Sequence, residues 1–389
     1  MTSRRLLILG ALALIALLAA FLLSNRQAAT PASSLPATLY PKLKTQLDGI
    51  DAVRIYKAGD ARAVELVRKD GNWSVSERDG YGADVAKVHK LLLALSEAKP
   101  VEQKTSSPDN YAKLGVEDVS QPAASGVRIE LHGQAVPVNL IVGKAGNAPQ
   151  AMYVRRVGEP ASWLINQSLD TANTPDAWLR KEIIDVSADR TQSATVAIAG
   201  AKSYDAVKQA RTDAGFKVEG VPKGKELSSP AAANGVASAL TGLTLADVRP
   251  AKDFAAEKPA AHATIKTFDG LVVDADGWVK DGKHYVALKT AYDEALAKRF
   301  HIEAAPATPN PTDTGKAGTK QPDIKADATP PPAAAPKPTP APNVSEAATA
   351  TNAQLAGWVY EIPEYKYEAI FKPMDGLLKK EEKEKKKQA

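Results

Sequence analysis

Eighteen consecutive residues, Leu6–Leu23, carry no charged or strongly polar side chain. Nothing else in the chain restricts its fate so tightly. At about 1.5 Å per residue, a helix of that length spans roughly 27 Å, close to the hydrocarbon thickness of a bilayer. Arg4 and Arg5 precede the run. Basic flanks stay on the cytoplasmic side, so the rest of the chain is expected outside the cytoplasm. A cleaved signal peptide is the rival reading. Its apolar region usually covers about 7–15 residues and ends at a small-residue site. Here the run is longer and is followed by Ser24-Asn25-Arg26. The expectation is a retained single-pass anchor over residues 1–26 in the inner (cytoplasmic) membrane, with the soluble part in the periplasm or outside the cell. The chain has no cysteine. Disulfides, thiolate chemistry, Cys-ligated metals and a lipoprotein anchor are therefore excluded.

The remaining 363 residues are long enough for two domains. Residues 27–49 read as a tether. From Ile50 the texture becomes β-type: "DAVRIYKAG" and "RAVELVRKDG" lead into Asp70-Gly71, a hairpin signal, and "NWSVSE" alternates after it. Val85, Val88, Leu91, Leu92 and Leu95 then recur at helical spacing, with Asp84 as N-cap. "GVRIELHG", "VPVNLIVGK", "AMYVRRVG" and "SWLINQSL" are further β-type runs.

Val53–Val75 laid over Val196–Val218 without a gap matches at eight of 23 positions, at a constant offset of 143. The matches include Val53/Val196, Arg68/Arg211 and Val75/Val218, and Trp73 falls on Phe216. A helical segment and an extended stretch follow in both copies. The fold class expected is α+β: tandem duplicated β-β-β-α-β-β units with antiparallel sheets behind an N-terminal transmembrane helix. The first repeat is placed at 50–175, a connector at 176–192 and the second repeat at 193–304. Trp73, Phe216, Trp278 and Trp358 are expected to serve as structural aromatics. Residues 305–345 form a Pro/Ala-rich stretch expected to be a disordered linker. Pro306 to Pro342 holds 11 of the 27 prolines. Residues 346–378, with "WVYEI" and the apolar spacing of Tyr367, Ile370, Phe371 and Met374, are expected to dock back on the body. A charged tail, 379–389, ends the chain.

The motifs that carry chemistry are weak. "GVPKGKEL" has three residues between Gly220 and Gly224 and Glu226 after the Lys, so it is not a phosphate loop. Ser96–Lys99 reads S-x-x-K, but it ends a helix instead of starting one. "DADGWVKDG" lacks the ligand spacing of a calcium loop, and a β-turn at Asp276-Gly277 is expected instead. The five histidines show no metal-ligand pairing. The net charge of +5 comes partly from the tail, and no basic face points to nucleic acid. No cofactor, metal or catalytic residue is assigned, and the chain is read as a non-enzyme.

Four features resemble the bacterial domain-of-unknown-function-4340 family: the short N-terminal anchor; "DGNWSVSERDGYGADVAKVHKLLLAL"; "NYAKLGVED" followed by "LIVGK" and "YVRR"; and "GWVYEIPEYKYEAIF". The resemblance implies an extracytoplasmic, single-pass membrane protein often encoded beside an ABC-type transport system of the gliding-motility kind. It implies an auxiliary or scaffold role with transporter subunits as partners. It supplies no catalytic residues. The alternative is an envelope ligand-binding module that uses the cleft between the repeats, with Tyr153, Trp163 and Trp178 as contacts.

Overall fold

The computed structural model describes residues 37–133, 137–300 and 343–379. The anchor residues Arg4, Arg5, Leu6 and Leu23, most of the proline-rich stretch and the tail beyond Lys379 lie outside the described residues. The chain divides into two compact units, with the boundary between Leu179 and Arg180.

The first unit is built on one antiparallel sheet. Its strands are β1 (Ile50–Lys57), β2 (Ala61–Lys69), β3 (Asn72–Val75), β4 (Tyr81–Gly82), β5 (Pro100–Gln103), β6 (Val127–Gly133), β7 (Val138–Ala145), β8 (Met152–Arg156) and β9 (Ser162–Ile165), in the order 4-3-2-1-6-7-8-9-5. Two helices join them, α1 (Val85–Glu97) and α2 (Tyr111–Leu114). The expected N-cap is present: Asp84 accepts from the Lys87 amide at 3.0 Å. Helix α1 buries Val88, Leu91, Leu92 and Leu95, the residues at helical spacing. One sheet face carries Val53, Ile55, Leu66, Ile129, Leu131, Leu140 and Val154, all buried. Alternation sends Ile141 and Arg155 to the other face, where Tyr111, Val116 and Val119 cover Ile141. Residues 38–49, expected to be tether, are packed instead. Leu39 and Leu43 are fully buried, and the Leu39 amide donates to Ala98 O at 2.6 Å. Two large aliphatic side chains spaced four apart cannot be left in water without losing about 1.5–3 kcal/mol each.

The second unit contains β10 (Glu182–Ile184), β11 (Thr191–Ile198), β12 (Tyr204–Val207), β13 (Lys217–Glu219), β14 (Leu243–Thr244), β15 (Asp247–Pro250), β16 (Ala261–Thr267), β17 (Leu271–Lys280), β18 (Lys283–Tyr292) and β19 (Trp358–Ile362). Strands β10 and β14 pair alone, and the others form an antiparallel sheet in the order 13-12-11-16-17-18-19-15. Its helices are α3 (Asn234–Ala237), α4 (Glu294–Arg299), α5 (Val344–Leu355) and α6 (Glu364–Ile370). The architecture is thus mixed, with large antiparallel sheets and few helices. Helix α5 lies on β18, where the Thr290 hydroxyl donates to Ala348 O at 2.7 Å and Asn352 Oδ1 accepts from the Thr290 amide at 3.1 Å.

Three expectations need correction. The helical segment expected after the second copy, "SPAAANGVASALTGL" from Ser229 to Leu243, is helical only over α3, four residues with no side-chain cap. Pro230 and Gly235 interrupt an otherwise alanine-rich run, and both disfavour a helix interior. The turn expected at Asp276-Gly277 is mid-strand, with Gly277 paired to Val286. The reversal falls at Asp281-Gly282, where φ is 52° and 72°. Gly277 serves packing: a Cβ there would lie 2.5 Å from the Phe371 ring. Finally, the gapless offset of 143 does not hold through the first two strands. Strand β1 shifts register between Ile50 and Ala52 against β6, and β11 does so between Thr191 and Ser193 against β16. Matching those bulges sets Val53, between Leu66 and Leu131, against Ala194, between Ala206 and Ile265. The offset there is 141, and it becomes 140 between Leu66 and Ala206. It reaches 143 only at β3 and β13, because Leu66 faces Val75 and Ala206 faces Val218.

Candidate functional site

The segments "NYAKLGVED", "LIVGK" and "YVRR" meet on the outer face of β7 and β8 in the first unit. Helix α2 lies flat there because three glycines remove side chains. A Cβ on Gly126 would stand 2.2 Å from Gly115 O, and one on Gly143 would stand 2.3 Å from Leu114 O. Gly115 itself has φ 71°, the left-handed conformation that ends a helix. Lys144 closes the same end, its ammonium donating to Ala112 O and Lys113 O, each at 3.2 Å. A cation on the last carbonyls of a helix is favourable electrostatically.

Arg155 is the centre of this cluster. It is 3% exposed. Its Nε donates to Val116 O at 2.8 Å, one terminal nitrogen donates to Glu159 O at 3.2 Å, and the other bonds Asp118 Oδ1 at 2.6 Å. Its guanidinium lies 4.5 Å from the Tyr111 ring centroid, and the Tyr111 hydroxyl donates to Pro160 O at 2.7 Å. A planar, permanently charged fork can hold a loop in three directions at once. The cluster is a clamp, with the donors of Arg155 turned onto Val116, Glu159 and Asp118. The next residue, Arg156, bonds Glu159 and Leu39 O and lies 5.2 Å from the Tyr40 ring, which ties the N-terminal turn to the sheet. Burial, opposed by the Arg156 charge, pushes the Tyr40 hydroxyl up to about 12.

Beside the clamp, the outer face of β2, β1 and β6 carries a ladder of charges. Arg54 bonds Glu65 at 2.7 Å, Arg62 reaches Glu65 at 3.1 Å, and Arg128 reaches Glu130 at 3.0 Å. His132 lies 3.2 Å from Glu130. Glu65 is partly desolvated, which raises its pKa, but the hydrogen bond from Arg54 and the Arg62 charge hold it below the usual carboxylate range. In the second unit, His262 bonds Asp276 at 2.8 Å and Thr264 bonds Asp274 at 2.6 Å on neighbouring strands. Among the described residues, no group of three or more His, Asp or Glu is placed to hold a metal ion.

The aromatic residues singled out from the sequence separate by role. Trp73 is buried under Arg68, whose guanidinium lies 5.7 Å from its ring. Phe216 is buried under Lys208, at 4.9 Å. Trp278 packs on Phe254, 5.4 Å between ring centroids, and donates to Glu257 O at 3.1 Å. Trp358 is half-buried at the start of β19, opposite Pro250. Tyr153, Trp163 and Trp178 are not brought together. Trp178 is wholly buried, donates to Ala172 O at 2.9 Å and is capped by Lys87, so it is a core residue and no ligand contact. Trp163 pairs with Val154, so Tyr153 and Trp163 point to opposite faces of the sheet. Tyr153 packs on the Tyr111–Ile141 cluster. The Arg155 clamp was not found from composition or spacing. Its only sequence signal was the joint presence of "GVED" and "YVRR".

A family model described as domain of unknown function (DUF4340) matches residues 73–263. The chain resembles that family over this span, which takes in the helix, the clamp and the first strands of the second unit. No curated protein and no solved structure matches the chain.

Proposed function

We propose that this DUF4340-like chain is a membrane-anchored extracytoplasmic scaffold, an auxiliary and non-catalytic component associated with an ABC-type transport system. The observation that carries the reading is the use to which the family-like motifs are put. Tyr111, Gly115, Asp118, Gly143, Lys144 and Arg155 all serve to lay one loop on one sheet. Motifs spent on building a surface fit a protein that works by contact. The anchor at Leu6–Leu23 and the resemblance supply the location and the transporter association.

We further read the two units as copies of one ancestral module. In support, the strand orders 3-2-1-6-7-8-9-5 and 13-12-11-16-17-18-19-15 correspond term by term. The corrected register also aligns Arg68 over Trp73 with Lys208 over Phe216, and Tyr153 with Tyr285. In both units the segment between corresponding strands, β5 to β6 and β15 to β16, lays an aromatic, Tyr111 or Phe254, on the outer face of the sheet. Paired details of this kind support a common origin of the two modules.

Affinity purification of the full chain from detergent-solubilised membranes tests the functional reading. Transporter subunits should co-purify in stoichiometric amounts and be lost with Arg155→Ala. Recovery of the unsubstituted chain alone would refute it.

A further inference from the structure

The strand that corresponds to β9 is β19, and it reaches its place by an unusual route. In the first unit β8 and β9 are joined by five residues, 157–161. In the second, 65 residues, 293–357, separate β18 from β19, and they include the 42 residues 301–342. Yet β19 is an interior strand, paired to β18 through Tyr360↔Val286 and to β15 through Tyr360↔Val248. The proline-rich stretch is therefore an insertion within one hairpin of the second unit. It does not join two bodies.

Residues 343–379 are held by contacts within the second unit. Helix α5 is bonded to Thr290. The Ala246 and Ala251 amides donate to Glu361 O at 2.7 Å and Gly357 O at 2.8 Å. Phe371 seats on Gly277, and the Tyr204 hydroxyl donates to Lys372 O at 2.9 Å. Lys366 donates to Thr241 O at 2.6 Å, and Leu378 forms a bridge with Leu227. Ala348, Leu355, Val359, Tyr360, Ile370 and Phe371 are all buried. Interior pairing on both edges plus a buried apolar face is the arrangement by which a strand is donated to a sheet.

We propose that the second unit contains a binding slot for a strand-and-helix peptide, and that its ligand is this chain's own segment 343–379, held by these contacts without need of the covalent connection. Cleavage anywhere in 301–342 then leaves a two-piece protein with its sheet intact. The inference is independent of the transporter reading.

The test uses the full chain in detergent with a specific protease site placed within 301–342. After complete cleavage, the C-terminal fragment should co-elute with the remainder on size exclusion. Amides of β15 and β18 should keep their hydrogen-exchange protection within about twofold. In the cut chain, Phe371→Ala should raise the rate of fragment release at least tenfold, because it empties the pocket over Gly277. Separation of the fragments on cleavage, or a tenfold loss of protection in β18, would overturn the proposal. Release unchanged by Phe371→Ala would overturn the assignment of the slot.

Discussion

Replacing Arg155 with alanine should destabilise the first unit by about 3 kcal/mol and leave the second unchanged. The magnitude follows from what the side chain holds. Val116 O loses a donor at 2.8 Å inside a buried cluster. An orphaned buried acceptor costs about 1–3 kcal/mol. The guanidinium over Tyr111 adds about 0.5–2 kcal/mol. The Asp118 pair counts for little, because its carboxylate is 53% exposed and screened by solvent. The aliphatic stem of Arg155 also covers the sheet, and its removal leaves a void. Arg155→Lys should recover only part of the loss, since one ammonium cannot reach three acceptors in three directions.

Bulk fluorescence cannot isolate the effect, because tryptophans occur in both units. Native-state hydrogen exchange read by mass spectrometry can, through peptides covering 138–156 and 271–292. The expected result is a hundredfold or greater loss of protection in the first peptide, which is roughly 3 kcal/mol at about 1.4 kcal/mol per tenfold, and none in the second. A loss below about 1 kcal/mol, or an equal loss in both peptides, would refute the view of Arg155 as a local clamp.

Two further tests address backbone space and ionisation. Gly143→Ala places a Cβ 2.3 Å from Leu114 O, a backbone atom that cannot move aside, and should cost about 1–3 kcal/mol in urea unfolding. Gly235→Ala meets nothing within 4 Å in α3 and should instead stabilise by about 0.5–1 kcal/mol. Tyr40 has a folded pKa of about 12 against an ordinary 10.0, with burial the leading cause. A raised folded value means that its contribution is complete below pH 10 and is lost as pH rises toward 12. Thermal unfolding of Tyr40→Phe should therefore fall less steeply than wild type across that window, and parallel curves would exclude Tyr40 as the source.

Much of the fold could be read from local chemistry. Asp70-Gly71 marks the β2–β3 hairpin, Asp84 and the spacing Val88–Leu95 mark α1, and Trp73 and Phe216 are each buried beneath a basic side chain. Elsewhere distant packing overrode local preference. "DADGWVKDG" contains two Asp-Gly pairs of equal turn propensity. The strand continues through the first because Phe371, more than ninety residues later, needs the space above Gly277. On the reading of two related units, the gapless overlay fails in β1 and β2 for a separate reason: Leu66 and its partner Val75 stand nine residues apart, Ala206 and its partner Val218 twelve, and an ungapped comparison cannot absorb the longer connection. Trp178, expected as a ligand contact in a cleft, is instead enclosed beneath Lys87 in the core.

The asymmetry between the units also explains why the chain runs on past the proline-rich stretch. In the first unit α1, of 13 residues, brings four large apolar side chains to the core. The segment proposed as its counterpart is helical only over α3, four residues that bury Val236 and Ala237, while Ala233, Ala239, Leu240 and Leu243 are buried in the turns around it. These are mostly small side chains, and they leave part of the face formed by Ala194, Val196, Ala263, Ile265, Val273, Ala275, Val286 and Leu288, all buried, to other cover. Exposed, a face of that kind would be an aggregation hazard. Helices α5 and α6, with Leu355, Ile370 and Phe371, bring the missing apolar volume, and β19 fills the position between β18 and β15. On the proposed reading of two copies of one module, a short α3 and a bound C-terminal segment go together: the short helix is tolerable only while 343–379 stays bound. Restoring a full-length apolar helix at 229–243 should accordingly make the second unit tolerate loss of α5, whereas today that loss should unfold it.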